Sequence, residues 1–456
     1  MTVDLLRICG RPIADDDRAC AARLLLDWVG VAFAGSCTRQ GAAVRETVQA
    51  LGQDGTSHIL AFRDGTLEQA AYINGSYGTL LEMDDLHRAS ILHAGDVVIP
   101  AALAMAQEVG SSGPQLLDAL VVGYEVALRI GTVAAKGGYS AWYNTGTCGV
   151  FGAAMAAAHA AGLSEEQKCD ALGHAGMQAS GLWQCRLEPT DSKCLATAHA
   201  ARAGVTSALT AAAGLKGARL ILEGELGFFP TLYPKADTNG LTADHASWMI
   251  HDVSLKPWPA CRHVHPAIGA MLSLRDKADI SAIRKIDVLS YAAGVAFCDN
   301  AHPKTAHEAR FSFQHTLAIA LRDGAPKLNH YRSEAMNDVD IIQLREKINV
   351  SEDPSLTSAF PEKMGAVVTA TLNDEKELTR KTTHAPGDPQ MPLSPQEQRD
   401  KFMANLEAAG VDAQVAQSLL RAVTDLPTAA SLNDLGGQLS LASETVCRNP
   451  NKELIP

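Results

Sequence analysis

The chain has 456 residues, of which 46% are hydrophobic, 20% are charged and only 5% are aromatic, and its formal net charge is −12. This length exceeds the size at which a single core stops growing, so we expect two domains. The negative charge argues against non-specific binding to nucleic acid and to anionic membranes, whereas an anionic substrate needs only a local group of cationic side chains.

Cysteine usage and the N-terminal segment bear on the compartment. Ten cysteines are spread without a repeated spacing and no Cys-x-x-Cys motif occurs, which is typical of reduced thiols in the cytoplasm. The first residues contain no basic stretch that leads into an apolar run, and no run of 18 apolar residues follows. The sequence therefore predicts a protein that is neither exported nor membrane-spanning.

Apolar residues recur at helical spacing through most of the chain before position 260. Residues 15–35 begin with three acids suited to a helix N-terminus, and residues 66–82 and 98–136 continue the helical pattern. Alanine-rich runs follow at 153–161 and 196–213. Because alternation typical of strands is scarce in this part, we expect it to be almost entirely helical.

The pattern changes after a proline-rich stretch at residues 254–267. Residues 283–297 are rich in β-branched and apolar side chains, and residues 366–383 alternate around a polar turn, which predicts a β-hairpin. Helical spacing returns at 393–410 and 412–424, and these last helices are expected to rejoin the first domain.

These patterns together predict a mainly α protein with two domains. Residues 1–266 and 394–456 are expected to form a large all-helical domain. Residues 267–393 are expected to form a smaller α+β lid domain.

A cluster of ionisable residues interrupts the apolar sequence at residues 72–104. Asp84, Asp85, His87 and His93 fall within ten residues of one another. Burying such groups costs several kcal/mol each unless they are paired or used. We interpret the segment as a functional loop in which the two aspartates orient His87 and the loop rather than act as bases.

Tyr143 lies just before a glycine-rich segment, residues 146–162. The glycines are spaced GxxGxxG rather than GxGxxG and no strand precedes them, so close helix packing explains them better than nucleotide binding. A tyrosine beside a helix N-terminus is often a half-buried anchor. It can also exchange a proton with a carbon acid whose developing charge the helix N-terminus stabilises.

Lys193 stands on the first turn of an otherwise alanine-rich helix. One interpretation is a lysine that extends to water along the helix. The other is a partly desolvated lysine at the positive end of the helix dipole, which has a lowered pKa and can act as a base.

A cationic group occurs in the segment KPWPACRHVHPA, formed by Lys256, Arg262, His263 and His265. The two-residue spacing of Cys261, His263 and His265 is unusual for zinc and no second ligand pair accompanies it, so no metal is predicted.

A final histidine-rich segment precedes a helical run. It contains His302, His307, Arg310 and His315, which are either surface residues or, on a lid, groups that close over an anion.

Taken in order, six segments resemble the motif series of the MmgE/PrpD family: DWVGVAFAG, INGSYGTLLEMDDLHRASILHAG with IPAALA, NTGTCGVFGAAMAAA, SKCLATAHAARAG, KPWPACRHVH and EARFSFQHTLAIALRDG. The family includes 2-methylcitrate dehydratase, cis-aconitate decarboxylase and iminodisuccinate epimerase. The resemblance implies a large helical domain with a smaller α+β lid, a homodimer, and catalysis without metal or organic cofactor. Small residues at 153–161 or 196–213 are candidates for the dimer interface.

The chain departs from the family pattern at three positions. Tyr143 stands where the dehydratase and decarboxylase members are expected to have a histidine, Ala94 replaces the proline after His93, and Ala196 replaces a histidine. Without an imidazole at position 143, the site lacks an acid that readily protonates a leaving hydroxide at neutral pH. This weakens the dehydratase interpretation and leaves proton transfer at an α-carbon intact.

We therefore predict a cofactor-independent epimerase of a small di- or polycarboxylic acid, similar to iminodisuccinate epimerase, with Lys193 and Tyr143 as its two acid/base groups. The enediolate-like intermediate would be held by helix N-terminal amides and by Lys256, Arg262 and His93. The predicted substrate-binding residues are His93, His87, Asp84, Asp85, Lys256, Arg262, Cys261 and His315. The alternatives are a dehydratase or decarboxylase of a tricarboxylate, and a catalytically silent helical dimer that acts as a scaffold.

Overall fold

The structure is a computed structural model that describes residues 1–50, 55–188, 190–277, 279–448 and 455. Its first half is a succession of helices, several of which begin at a Ser or Thr whose side chain caps the first turn, as Ser112 and Ser164 do. The helices are α1 (Thr2–Cys9), α2 (Asp15–Ser36), α3 (Arg39–Gln49), α4 (Leu67–Tyr77), α5 (Gly95–Glu108), α6 (Gly113–Ala135), α7 (Asn144–Thr147), α8 (Gly149–Ala160), α9 (Glu165–Gly176), α10 (Lys193–Ala212) and α11 (Phe228–Leu232).

Helices and strands alternate in the next part of the chain, and the last three helices close it. The elements are α12 (His265–Arg275), β1 (Ile283–Ser290), α13 (Ala292–Cys298), α14 (Ala306–Arg310), α15 (Phe313–Arg322), α16 (Ser333–Met336), α17 (Val339–Glu346), β2 (Ile348–Glu352), α18 (Pro354–Ala359), β3 (Ala366–Leu372), β4 (Glu377–Thr382), α19 (Pro395–Ala409), α20 (Ala413–Thr424) and α21 (Asn433–Cys447).

The four strands form one sheet in the order β2-β1-β3-β4. The β1 and β2 strands are parallel and the other two pairs are antiparallel. The hairpin expected at 366–383 is confirmed as β3 and β4. The segment at 283–297 is a strand only as far as Ser290, because helix α13 follows. A mainly α protein with a small α+β part is thus confirmed.

The chain divides into two compact units. Unit 1 contains the described residues of 1–80, 84–253 and 395–448, and unit 2 contains those of 81–83 and 254–394 together with residue 455. The boundary expected at 266 lies instead after 253, because the proline-rich stretch bonds within unit 2: the Ser254 hydroxyl donates to Asp388 at 2.7 Å and the Leu255 amide to the Gly387 carbonyl at 2.9 Å.

Unit 1 is built around α8, which packs against α5, α6, α9 and α10. Its helices approach closely because small residues meet at the crossings. A Cβ atom added to Gly204 of α10 would lie 2.5 Å from the Cβ of Ala153 and 2.7 Å from the backbone nitrogen of Ala154. The predicted packing role of the glycine-rich segment is therefore confirmed, and residues 153–160 are too buried to form a dimer interface.

The last helices belong to unit 1, where α19 packs on α2. Helix α2 is long and apolar enough to cross a membrane, the one such helix in the described chain. However, 89% of that apolar window is buried inside the protein. Core helices of soluble proteins have the same character.

Unit 2 has its own core, in which α12 and α15 pack against the sheet. The inward-facing residues of the central strands, such as Ile286, Val288 and Val368, are fully buried among apolar side chains of these helices. This alternation explains why an amphipathic strand pattern appears only in this part of the chain. Whether unit 2 moves as a lid stays a prediction.

We expect Gly204→Ala to destabilise unit 1, because the new methyl group would overlap backbone atoms of α8. Overpacking of this kind costs about 1–3 kcal/mol. Gly437→Ala is the matched control, since Gly437 lies inside α21 with no atom within 4 Å of an added Cβ. It should be neutral or stabilise by up to about 1 kcal/mol through helix propensity. Urea unfolding of both variants measures the difference, and equal midpoints would contradict the packing argument.

Candidate active site

The carboxylate of Asp85 ties residues 84–94, here called the acidic loop, to helices α5 and α6. It accepts hydrogen bonds from the Gly95 amide at 3.0 and 3.2 Å, which caps the N-terminus of α5, and from the Tyr124 hydroxyl of α6 at 2.7 Å. Burial raises the pKa of Asp85 to about 6, although both donors oppose this shift. Asp85 therefore positions the loop.

His87 is also part of the framework of the loop. Its Nδ1 lies 2.9 Å from the Ser90 hydroxyl, and its backbone amide donates to the Leu92 carbonyl at 2.9 Å. Burial lowers the pKa of His87 to about 4, so the ring is neutral at pH 7. The two aspartates were expected to orient this ring. Ser90 does so instead, which weakens the predicted role of His87 in substrate binding.

His93 is the motif histidine that pairs with a carboxylate. Its Nδ1 lies 2.7 Å from Asp84 Oδ2 and 2.8 Å from the Asp85 carbonyl, and its amide donates to the Thr145 hydroxyl at 3.1 Å. The side chain of Asp84 is 1% exposed and that of His93 is 14% exposed. The ring is thus oriented by the Asp85 carbonyl and lies at ion-pair distance from Asp84, while part of it remains exposed.

A third carboxyl group, which the sequence analysis missed, belongs to the same cluster. Asp96 lies on the first turn of α5, is completely buried and comes within hydrogen-bonding range of Asp84. Aspartates are common near helix N-termini, so Asp96 was not predicted to be a site residue. The apolar run that follows it, Val97–Ala106, is the signal that could have shown it to face inward.

The predicted acid/base pair also comes together in unit 1. Tyr143 is the N-cap of α7, is 1% exposed and donates its amide to the Gly181 carbonyl at 3.0 Å. Burial raises the pKa of its hydroxyl well above the ordinary value, while the ammonium of Lys193 lies near enough to lower it. Lys193 begins α10, is partly exposed and also interacts with Asp96. Tyr143, Lys193 and the acidic loop therefore form one electrostatic cluster.

An aromatic side chain that the sequence analysis also missed holds the Tyr143 ring. Trp183 packs against it with ring centroids 5.6 Å apart, and against Tyr139 at 5.3 Å. The amide of Trp183 donates to the Ala141 carbonyl at 2.8 Å. The guanidinium of Arg186 lies over the Tyr139 ring, 4.8 Å from its centroid. These contacts join the segment that contains Tyr139 and Ala141 to the segment that contains Trp183 and Arg186.

Unit 2 contains the second predicted lysine. Lys256 is 1% exposed, and its Nζ lies 3.4 Å from Oε2 of Glu82, which is 7% exposed. Glu82 has a φ of 53°, in the left-handed region that non-glycine residues adopt at some cost. Sequence reasoning did not identify this partner.

Arg262 is engaged by unit 2 itself. Its guanidinium donates to the carboxylate of Asp388, to the Pro386 carbonyl at 2.7 Å and to the Ala385 carbonyl at 3.3 Å. These contacts fix the segment at 385–388. They favour a structural role over the predicted contact with substrate.

The neighbouring candidates in unit 2 are also buried. Cys261 donates its amide to the Arg310 carbonyl at 2.9 Å, and Arg310 stacks over the Tyr331 ring at 5.4 Å. The imidazole ring of His315 packs against the same Tyr331 ring. Burial lowers the pKa of His315 to about 4. A neutral, buried His315 is poorly suited to binding an anion, while the lining role of Cys261 stays a prediction.

Within the described part of the chain, no three His, Cys, Asp or Glu side chains converge as metal ligands would. The ten cysteines are all free thiols. Catalysis without metal or organic cofactor stays a prediction.

Comparisons with known proteins identify relatives of the chain. The protein-family model for the MmgE/PrpD N-terminal domain matches residues 11–240. The family model for the MmgE/PrpD C-terminal domain matches residues 258–426. Mouse cis-aconitate decarboxylase is 27% identical over 84% of this chain and 81% of that protein. Human cis-aconitate decarboxylase is 26% identical over 89% and 86%, and 2-methylcitrate dehydratase of Escherichia coli K12 is 26% identical over 46% of each chain.

We expect Glu82→Gln to destabilise unit 2, because it leaves the buried Lys256 without this carboxylate. Breaking a buried ion pair costs about 3–5 kcal/mol. Glu375→Gln is a matched control: Glu375 has a φ of 66° and pairs with Arg284 at 2.6 Å, but both side chains are exposed. Its loss should be below about 1 kcal/mol. The urea midpoint of each variant gives the comparison. A loss in Glu82→Gln no larger than in the control would show that the buried pair contributes little.

Proposed function

The chain belongs to the MmgE/PrpD family, and we propose that it transfers a proton at a carbon next to a carboxylate of a small di- or tricarboxylic acid, without metal or organic cofactor. The relatives named above include enzymes of cis-aconitate and 2-methylcitrate, both tricarboxylates. Those names support the substrate class. Each of those reactions also makes or breaks a bond to hydrogen at a carbon close to a carboxylate.

Within this class we propose epimerisation of an acid that resembles iminodisuccinate. Inverting a stereocentre beside a carboxylate requires one group that removes the α-proton and a second group that returns a proton to the opposite face. The observation that carries the proposal is that Tyr143, at the N-terminus of α7, lies within the electrostatic range of Lys193, at the N-terminus of α10. One is a hydroxyl held protonated by burial and the other is an amine.

The protonation states follow from the surroundings of the pair. Because burial raises the pKa of Tyr143, its resting form is the acid. Lys193 is then the group that must lose its proton and act as base in the forward direction. The carbanion that forms beside a carboxylate is an enediolate, and His93, which the acidic loop orients, is suited to bind its oxygen.

The second candidate is a lyase, either a decarboxylase or a dehydratase of a tricarboxylate. The names of the relatives favour this candidate over epimerisation, since they are decarboxylases and dehydratases. Against it stands Tyr143, which replaces the more acidic imidazole expected from the family pattern. A catalytically silent scaffold is supported least, because a scaffold has no need of several buried ionisable groups around one lysine.

We further propose that the protein is located in the cytoplasm and that unit 2 acts as a lid.

Turnover in D2O with iminodisuccinate, 2-methylcitrate and cis-aconitate, followed by NMR, distinguishes the candidates. Epimerisation should interconvert diastereomers and place deuterium at the inverted carbon. Dehydration would produce a vinylic signal, and decarboxylation would release CO2. Either of the last two results in place of inversion would replace the epimerase proposal with the lyase.

We expect Lys193→Ala and Tyr143→Phe each to lower the rate of inversion by about 10²–10⁴-fold, as for removal of one acid/base group. Tyr143→Phe should still exchange deuterium into one stereoisomer, since Lys193 can remove and return the proton on the face it meets, whereas Lys193→Ala retains only a protonated phenol and should exchange little. Lys216→Ala and Tyr139→Phe are controls, because Lys216 is an exposed lysine that pairs with Glu166 and neither residue belongs to the proposed pair. Near-normal inversion by Tyr143→Phe would reduce Tyr143 to an anchor.

We also propose a homodimer. Unit 1 exposes large apolar side chains after α9, on the first turn of α10 and in the segment that follows α10, which are candidates for a covered surface: Met177, Leu182, Leu187, Leu195 and Leu220. Light scattering should give twice the chain mass of 48.2 kDa. Replacing Leu182 and Leu187 by Glu should yield monomers, whereas Leu441→Glu, on α21, should not. A wild-type monomer at micromolar concentration would contradict the proposal.

A further inference from the structure

Asp96 is a buried carboxyl group whose partners cannot satisfy it if it is ionised. Its side chain is completely buried, and neither of its oxygens has a hydrogen-bond donor among the residues that the structure describes. The group within hydrogen-bonding range is Asp84, which is itself a carboxylate. Two ionised carboxylates in contact repel each other and share no hydrogen, so one of them must hold a proton.

The location of Asp96 is built into the packing of α5 against α4. A Cβ atom added to Gly78, just after α4, would lie 1.8 Å from Asp96 Oδ1 and 3.0 Å from Trp28 Nε1. Any side chain at position 78 would therefore displace the carboxyl group. The indole nitrogen of Trp28 faces the same spot without a hydrogen-bond acceptor in the described part of the chain.

Of the two carboxyl groups, Asp84 has the better reason to be ionised. Its Oδ2 lies 2.7 Å from Nδ1 of His93, at ion-pair distance, so the imidazole is positioned to compensate a negative charge on Asp84. Burial, followed by the neighbouring Asp84 and Asp85, raises the pKa of Asp96 well above the ordinary value, and Lys193 opposes this shift less strongly. The titratable groups that face Asp96 are Asp84 and Asp85 from the acidic loop, Lys193 from α10, Tyr124 from α6 and Tyr143 from the segment before α7.

We propose that Asp96 is a positioning residue that keeps its proton in the folded protein and donates it in a hydrogen bond to Asp84, which is thereby held against His93. The inference rests on the proposed function, in which Lys193 is the base. A protonated Asp96 also leaves one negative charge fewer beside Lys193. Since negative neighbours make an ammonium harder to deprotonate, the proton on Asp96 helps Lys193 to reach its neutral, basic form.

The proton itself is tested by infrared difference spectroscopy, which needs no turnover. At pH 8, where Asp85 with its pKa of about 6 is ionised, the wild type should show a protonated carboxyl band that Asp96→Asn lacks. The Tyr124→Phe variant, which alters a hydrogen bond to Asp85, should retain the band. Absence of a band that depends on Asp96 would overturn the proposal, whatever substrate the enzyme uses.

Stability gives a second readout with a definite sign. A carboxyl group whose pKa is higher in the folded than in the unfolded state lowers stability as pH rises above its ordinary value of about 3.9. Asp96→Asn removes this loss while its amide can still donate to Asp84. The unfolding midpoint of the variant should therefore match that of the wild type near pH 4 and exceed it increasingly towards pH 8. A constant difference across this range would contradict a retained proton.

Activity tests the positioning role. Asp96→Asn should keep the rate within about threefold, because donation to Asp84 is preserved, and Asp96→Leu should lose about 10-fold or more, as for loss of an orienting hydrogen bond. The rising limb of the pH–rate profile should stay in place in Asp96→Asn, whereas Asp84→Asn, which removes an ionised group, should move it down by about one pH unit or more. An equal downward shift in Asp96→Asn would mean that Asp96 is ionised, and would overturn the proposal. If no substrate turns over, the infrared and stability results still decide it.

Discussion

The hydrogen bonds that Asp85 accepts from Gly95 and Tyr124 are the constraint on which the candidate site depends. They fasten an irregular loop to the N-terminus of α5 and to the side of α6. Those two helices are held in turn by α8, whose small residues allow its neighbours to approach closely. The loop has no regular hydrogen bonding of its own, but its bonds to two core helices hold it in place, as a preorganised site requires.

Charge is the second constraint on this part of the molecule. Three aspartates lie within one buried cluster, and the nearby cations are His93, in one of its forms, and Lys193. Full ionisation of all three acids would leave uncompensated charge in a region of low dielectric constant, which is costly. Different partners resolve this in different ways: backbone and hydroxyl donors for Asp85, an imidazole for Asp84 and, in our proposal, a retained proton for Asp96.

Most helices and the β3–β4 hairpin could be predicted from the sequence, because helical spacing, helix caps and hairpin turns are local properties. The helices at 15–36 and 395–409 and the hairpin were predicted nearly to the residue. What the sequence could not supply were partners from distant parts of the chain. Tyr124 is 39 positions from Asp85, and Asp388 is 126 from Arg262. Without knowledge of that last pair, Arg262 resembled an open cationic group. The expected domain boundary differed for the same reason, since residues 254–266 join unit 2 through contacts with distant residues such as Arg310, Gly387 and Asp388.

The tyrosine at position 143 links these constraints to the choice of reaction. A general acid must match the group that it protonates. Departure of hydroxide at neutral pH benefits from an acid with a pKa near 7, such as an imidazolium, and a buried phenol is far weaker than that. A carbanion beside a carboxylate is a much stronger base, and a phenol suffices to protonate it. Burial of Tyr143 makes the hydroxyl still less acidic, which keeps it in the proton-donating form throughout the physiological range. The same burial that disfavours dehydration therefore suits a two-base inversion, in which one partner must hold its proton while the other, Lys193, has given its proton up.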